Sequence, residues 1–232
     1  MLKKTDITHV IYDKNTWQIL RILREKARKI LSILNSYNIE AYVIGSVARG
    51  DVNKNSDVDI VIPNPYSPYF IEDIILRSCL PIYYKEIVMA TPSSVIKVNI
   101  YIEEKVCISF PLVSLSDLER EFLKYCGSIS YSDIVLGKRI AGVNKKLCLI
   151  IPTIYGHISY PVLLNKKTVA NILDVSLSII QERTQMLLRR ARIGRTGLYL
   201  REIIPPEVSI EKVIKTLSQK DPILKNRLRN FL

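Results

Sequence analysis

The segment 43–62, VIGSVARGDVNKNSDVDIVI, constrains the fold of this chain more than any other part of it. The apolar run AYVIG at 41–45 ends in a glycine and predicts a buried strand. A second strand, DVDIVI, is predicted after Ser56, because apolar residues alternate there with Asp57 and Asp59. Side chains two positions apart project from the same face of a strand. We therefore expect both carboxylates on one face, roughly 6.5–7 Å apart.

These residue types suit the chemistry of phosphates and metal ions. Gly45 has no side chain, so a phosphate chain can approach its backbone, and Ser46 offers a hydroxyl and an amide to phosphate oxygens. Two neighbouring carboxylates can share Mg²⁺, which takes oxygen ligands and keeps substrate phosphates as partners. Two such ions, about 3.5–4 Å apart, activate an attacking hydroxyl and neutralise a leaving pyrophosphate.

The glycine–serine pair, ten intervening residues and the sequence DVDI together resemble the signature of the polymerase-beta-like nucleotidyltransferase superfamily. The form GSxARGD…SDVDIVI looks most like its minimal prokaryotic nucleotidyltransferases, and the resemblance covers about residues 13–102. It implies an α/β fold with a mixed sheet. It also implies that Asp57 and Asp59 are catalytic metal ligands, and that Gly45 and Ser46 hold a nucleoside triphosphate. Arg49 is a candidate phosphate contact, or else it pairs with Asp51.

The chain departs from this family at the third acid, which the family usually supplies from a later strand. The best local match is KVNI at 97–100, where the acid is replaced by Asn99. An asparagine carbonyl can coordinate Mg²⁺ but cannot accept a proton from the attacking hydroxyl. Glu86 is an alternative third catalytic acid from a neighbouring strand. The sequence therefore leaves two hypotheses open, an Mg²⁺-dependent enzyme or a transcriptional regulator whose degenerate domain only senses nucleotide or serves as a scaffold.

The charge is unevenly spread along the chain. The net charge is +12, and residues 141–232 hold 16 basic and 6 acidic side chains, against 18 and 16 in residues 1–140. This asymmetry predicts two domains and a polyanionic partner for the basic half, either duplex DNA or RNA. We predict a nucleotidyltransferase-like domain at 1–125, a linker with a β-hairpin at 126–165, and a nucleic-acid-binding domain at 166–232.

The segment KKTVANILDVSLSIIQERTQ at 166–185 predicts two short helices that meet at Asp174. Its apolar spacing resembles the helix-turn-helix of DNA-binding regulators, with Ser176 as the cap of the second helix. The arginines that follow bracket two glycines and look like the hairpin wing of a winged helix. The second domain is therefore predicted to be a mainly α winged helix-turn-helix. The predicted DNA contacts are Ser178, Gln181, Arg183, Arg189, Arg190, Arg192 and Arg195. The last helices, about 210–217 and from 221 onward, either add to this surface or form a homodimer interface.

Composition excludes several other classes of protein. No apolar run approaches the roughly 20 residues that a membrane-spanning helix needs. The opening residues lack the apolar block of a secretory signal, and the four cysteines form no CxxC pair. We therefore expect a cytoplasmic protein with reduced thiols. High isoleucine content with only four glutamines favours a thermophilic source.

Overall fold

The computed structural model describes residues 7–194 and 196–229. The strands, in chain order, are β1 (Thr8–Ile11), β2 (Tyr42–Ile44), β3 (Val58–Val61), β4 (Tyr84–Met89), β5 (Lys97–Glu103), β6 (Val106–Pro111), β7 (Ser128–Ile129), β8 (Gly142–Val143), β9 (Cys148–Thr153), β10 (Gly156–Pro161) and β11 (Leu200–Ile204). The helices are α1 (Lys14–Ser36), α2 (Ser46–Arg49), α3 (Pro68–Arg77), α4 (Asp117–Cys126), α5 (Tyr131–Val135), α6 (Lys166–Leu173), α7 (Leu177–Ile193), α8 (Ile210–Lys220) and α9 (Pro222–Arg227). This mixed α/β architecture is the class expected for the first domain.

The chain divides into two compact units, each assembled from separate segments. The first unit is Met1–Ser32, Tyr42–Val58 and Asp117–Thr196, and the second is Ile33–Ala41, Asp59–Ser116 and Gly197–Leu232. Consecutive domains are predicted at 1–125 and 166–232, and each of the two units takes residues from both of these ranges. The first unit holds 23 Lys and Arg against 11 Asp and Glu, and the second holds 11 of each. The whole net charge of +12 therefore belongs to the first unit.

The first unit contains a four-stranded sheet in the order β1-β10-β9-β8. Its β9–β10 hairpin, which the sequence predicted, pairs residues from Cys148 with Pro161 to Thr153 with Gly156. One face of this sheet shares a hydrophobic core with α4, α6 and α7. The buried side chains of that core are Tyr125, Cys126, Val143, Leu147, Leu149, Val162, Val169, Ala170, Leu173, Ile179 and Ile180. The helix hairpin is thus packed on a sheet.

The second unit contains strands in the order β11-β4-β5-β6-β3. Along β5 the side chains alternate, with Val98 and Ile100 fully buried and Asn99 and Tyr101 half-buried on the opposite face. The antiparallel register places Glu86 of β4 opposite Asn99, and Asn99 opposite Ser109 of β6. One sheet face is therefore apolar and the other carries a row of polar side chains.

The predicted wing is wrong. The helix α7 runs to Ile193, and the following strand β11 pairs with β4, from Leu200 with Met89 to Ile204 with Lys85. Its last side chain, Ile204, is 1% exposed, so the pairing extends a large sheet and buries an apolar group that a two-stranded wing would leave in water. In the described part of the chain after α7, no β-hairpin forms.

The C-terminal helices α8 and α9 pack within the second unit through Ile214, Leu224 and Leu228, which are nearly inaccessible. Phe231, which the sequence placed among their apolar residues, lies outside the described residues. Among the described helices, none has the length and apolar character needed to cross a membrane.

Candidate active site

The glycine–serine pair forms the turn between β2 and α2. Gly45 has φ 74°, a backbone conformation that side-chain-bearing residues rarely adopt, and its amide donates to the carbonyl of Gly127 over 3.0 Å. A Cβ atom at this position would meet nothing within 4 Å. A glycine is therefore favoured here by the backbone conformation and not by crowding, and there is open space beside Ser46 at the start of α2.

Arg49 does not offer its side chain to a phosphate. Its guanidinium is buried and holds Asp51 through two bonds, Nε to Oδ1 at 2.9 Å and Nη2 to Oδ2 at 3.1 Å. Its Nη1 donates to the carbonyl of Cys126 over 2.6 Å. The pairing with Asp51, which the sequence left open, is the observed one. The phosphate-contact hypothesis for Arg49 fails because its donors already face protein oxygens, and the side chain instead ties α2 to the end of α4.

Arg24 on α1 also secures α2, a role that no local sequence pattern indicates. Its Nε donates to the carbonyl of Val47 over 3.1 Å and its Nη2 to that of Ala48 over 3.2 Å. A helix leaves its last carbonyls without intrahelical partners, so Arg24 satisfies groups that a four-residue helix cannot satisfy itself. Burial, together with the nearby charge of Arg139, lowers the pKa of Arg24 to about 10. Helical periodicity placed this arginine on the solvent face, where such contacts are not expected.

Asp57 directly precedes β3 and Asp59 lies within it. Both are exposed, as the alternating pattern predicted, while the intervening Val58 and the following Ile60 are fully buried. The two buried side chains fix the strand against the core, and this leaves both carboxylates accessible to a ligand.

Glu86 is not an exposed third acid. It is 4% exposed, and its Oε1 accepts from the side-chain amide of Asn99 over 2.9 Å and from the Tyr101 hydroxyl over 3.0 Å. Its Oε2 accepts from Nε of Arg201 over 2.9 Å. Three donors therefore occupy this carboxylate, which the sequence proposed as a catalytic group. The sequence could not show this, because Arg201 is 115 positions away.

Asn99, at the third-acid position, is fixed on both sides. Its amide donates to Glu86, and its Oδ1 accepts from the Ser109 hydroxyl over 2.9 Å. These bonds define which end of the amide is oxygen. Hydrogen bonds therefore run in one direction along this row, from the Ser109 hydroxyl to Asn99 and from the Asn99 amide to Glu86.

Two further groups on this part of the second unit are held in their protonated forms. Burial raises the pKa of the Cys107 thiol, and the negative charges of Asp59 and Glu86 raise it further. Burial also raises the pKa of the Tyr101 hydroxyl, and the nearby Cys107 and Glu86 raise it further. Neither group can serve as a base near neutral pH.

The donors present fit Mg²⁺ bound through a substrate. Among the residues that the structure describes, no three His, Cys, Asp or Glu side chains are grouped to hold a metal ion. Mg²⁺ is usually bound through one or two carboxylates, with water and substrate phosphates completing its shell. The exposed pair Asp57 and Asp59 matches that requirement, and triphosphate oxygens would supply the remaining ligands.

The helix hairpin of the first unit has the turn that the sequence predicted. Asp174 is left-handed, with φ 50°, and Ser176 caps α7 by accepting from the Ile179 amide over 3.3 Å. Helix α4 holds this turn. Glu121 accepts from the backbone amide of Ser176 over 3.0 Å, and Lys124 pairs with Asp174 at 2.7 Å. The hairpin is therefore fastened to α4 as well as to its own core.

Most of the proposed DNA contacts on α7 are exposed, namely Ser178, Gln181, Arg189, Arg190 and Arg192. Arg183 is an exception, because its guanidinium lies over the Phe122 ring of α4, 4.4 Å from the centroid. Burial there lowers the pKa of Arg183. The prediction that Arg183 points outward is wrong, because α4 covers that side of α7. Arg195 lies outside the described residues.

Residues 24–122 match the family model of the nucleotidyltransferase domain. The match contains Gly45, Ser46, Asp57, Asp59 and Asn99, and it spans less than half of the chain. This match supports a relationship to the nucleotidyltransferase superfamily, and it supports nucleotidyl transfer as the general activity. The helix hairpin lies beyond its end. No curated protein and no solved structure matches the chain.

Proposed function

We propose that this protein transfers a nucleoside monophosphate from a nucleoside triphosphate to a hydroxyl acceptor, with Mg²⁺ as cofactor and pyrophosphate as the leaving group. The observation that carries the proposal is the exposed carboxylate pair Asp57 and Asp59, inside a segment that matches the nucleotidyltransferase domain. The fully buried neighbours Val58 and Ile60 hold that pair in place.

Each residue of the motif has a separate task in this reaction. The open backbone at Gly45 and the hydroxyl and amide of Ser46 bind triphosphate oxygens. Asp57 and Asp59 orient the metal-bound triphosphate. When bound, Mg²⁺ supplies charge neutralisation for the phosphoryl oxygens and the leaving group. Arg24 and Arg49 act indirectly, by fixing α2 and so the position of Ser46.

Activation of the acceptor hydroxyl is the weak point of this site. An asparagine at position 99 cannot take the proton, and the Glu86 carboxylate is engaged by three donors. We therefore propose slow transfer without a side-chain base at either position. No observation favours the alternative of a transcriptional regulator that lacks catalysis.

The exposed face of α7 is the proposed surface for duplex DNA or RNA. Arg189, Arg190 and Arg192 are exposed at its end, in the unit that carries the net charge. Such arginines neutralise backbone phosphates, while Ser178 and Gln181 are types that reach base edges. We propose this surface without a wing.

The proposed reaction is tested by incubating the protein with each labelled nucleoside triphosphate and Mg²⁺, with and without nucleic acid. Label should pass to an acceptor, and Asp57→Asn/Asp59→Asn should abolish the transfer. The control Glu103→Gln/Glu104→Gln removes two exposed charges, one at the end of β5 and one in the turn that follows, and should retain it. Transfer that survives in the Asp57/Asp59 variant would reject the proposed site.

A further inference from the structure

One face of α1 carries Trp17, Arg21 and Arg28, and these three residues have no task in the proposed reaction. While Ala27, Ile30 and Leu34 are buried in the core, residues 17, 21, 24 and 28 recur at three- and four-residue spacing on another side of the helix. They border a groove of about 280 Å³ within the first unit, which Leu20, Glu25, Ile134 and Gly137 also line. The groove therefore combines apolar and aromatic surface with arginines and one glutamate.

The positive charge around this groove is only partly cancelled by the protein. Among the described residues, the guanidinium of Arg24 donates to carbonyl oxygens, those of Val47, Ala48 and Lys138. That of Arg139 stacks on Trp17, 4.9 Å from the ring centroid, and donates to the carbonyls of Gly156 and Thr153. Carbonyl oxygens satisfy the donors but leave the positive charge in place. Of the groove arginines, Arg28 shares its charge with Glu25.

The exposed arginines are spaced for a linear anion. Arg21 and Arg28 are seven residues apart on α1, which is two turns of helix and about 10.5 Å along its axis. Both are exposed, whereas Trp17 is half-buried beside them. An anion with repeated charges can contact both arginines at once, and flat apolar groups attached to it would reach the groove between them.

We infer that this groove binds a short stretch of single-stranded nucleic acid, with bases against Trp17 and backbone phosphates at Arg21 and Arg28. Aromatic surface flanked by positive charge is the combination that single strands require, because their bases are free to leave a stack. A duplex keeps its bases paired inside and cannot insert them into such a groove. The net charge of +12 on this unit attracts the strand.

This site is separate from the exposed face of α7, and it does not depend on the proposed transfer reaction. Its occupant differs as well, since a single strand is proposed here and duplex DNA or RNA is proposed at α7. The binding experiment below therefore requires no catalytic activity.

The chain contains one tryptophan, so the fluorescence of Trp17 reports on this groove alone. The full chain is titrated with ten-nucleotide single strands of DNA and RNA, and binding is followed by anisotropy of the labelled strand and by Trp17 emission. Single strands should quench Trp17 in step with binding. Heparin, a polyanion without bases, should compete for binding without comparable quenching.

Arg21→Ala/Arg28→Ala should weaken single-strand binding at least about tenfold and flatten the log–log salt dependence by about 1.4, since each single-strand phosphate contact contributes about 0.7. Lys145→Ala/Lys146→Ala removes the same charge from an exposed turn of the same unit and should change neither value appreciably. Both pairs are exposed, so the fold should tolerate them.

Saturable binding without Trp17 quenching would overturn the inference, and so would equal quenching by heparin. Equal losses in the two double variants would mean that only overall charge matters, which also overturns it. An acidic peptide that quenches Trp17 at lower concentration than either single strand would identify a protein partner instead.

Discussion

The side-chain amide of Asn99 donates to Oε1 of Glu86 over 2.9 Å, which joins the residue at the expected third-acid position to the carboxylate nearest to it. With Tyr101 and Arg201 as further donors, this bond holds the Glu86 side chain in a buried network. Both oxygens of Glu86 thus accept hydrogen bonds from protein donors.

Glu86→Gln should lower the free energy of unfolding by about 1–3 kcal/mol, because glutamine has one acceptor oxygen where three donors now converge. It should leave Mg²⁺-dependent nucleotide binding unchanged, since Glu86 is not proposed as a ligand. Urea denaturation and calorimetry measure the two effects. A loss of nucleotide affinity without a loss of stability would restore Glu86 as a metal ligand.

Asn99→Asp should destabilise the protein near neutral pH, because two carboxylates would then lie within hydrogen-bonding distance and one pKa would be raised. A raised pKa in the folded state means that the destabilisation grows as pH rises through the ordinary carboxyl range and is relieved at acidic pH. Thermal unfolding between pH 4 and pH 8 measures this trend. A flat pH dependence would show that the network relaxes around the new charge.

The exchange variant Glu86→Gln/Asn99→Asp should recover most of that stability, because the new amide can donate to the new carboxylate across the same strand pair. It also places an acid at the position where the family usually supplies its third one, so turnover should rise above that of the wild type. Single-turnover transfer of labelled nucleotide is the measurement. A stable exchange variant with unchanged turnover would show that proton acceptance does not limit the reaction.

The fold was predictable where it depends on neighbouring residues. The apolar spacing of α1, the alternation around Asp59, and the turn at Asp174 with its Ser176 cap all follow from local patterns. The fate of β11 was not predictable, because pairing with β4 joins Leu200 to Met89 and no local feature reveals a distant strand edge. The predicted wing failed for that reason.

In the candidate site, too, features that depend on neighbouring residues were predictable and features that depend on distant residues were not. The exposed pair at Asp57 and Asp59 depends on strand periodicity and was predicted. The inward pairing of Arg49 and the saturation of Glu86 depend on residues far away in sequence. Arg183 differs from the exposed α7 residues only because Phe122 covers it.

Lys85→Met should lower the free energy of unfolding by about 3–5 kcal/mol. Lys85 is 1% exposed, and its Nζ holds Glu72 at 2.6 Å and the carbonyls of Pro206 and Val208 at 2.8 and 2.7 Å. The substitution would leave Glu72 buried without its partner. Lys105→Met, at an exposed position of the same unit, should cost little by the same urea measurement. Equal stability of the two variants would contradict a structural role for Lys85.

Gly45→Ala should reduce nucleotide affinity, because alanine disfavours φ 74° and would shift the backbone beside Ser46. The strain itself should cost about 1–3 kcal/mol of stability. Gly194→Ala is a matched control, since Gly194 has φ 82° and equally open surroundings at the end of α7. It should show a comparable loss of stability with unchanged nucleotide affinity. Similar affinity losses in both variants would point to a global effect.

The central claim is that Asp57 and Asp59 bind a metal–triphosphate complex, and calorimetric titration of nucleoside triphosphate with and without Mg²⁺ tests it most directly. The wild type and the Glu103→Gln/Glu104→Gln control should bind triphosphate only when Mg²⁺ is present, and Asp57→Asn/Asp59→Asn should not bind under either condition. Equal Mg²⁺-dependent binding by the Asp57/Asp59 variant and the wild type would contradict the account.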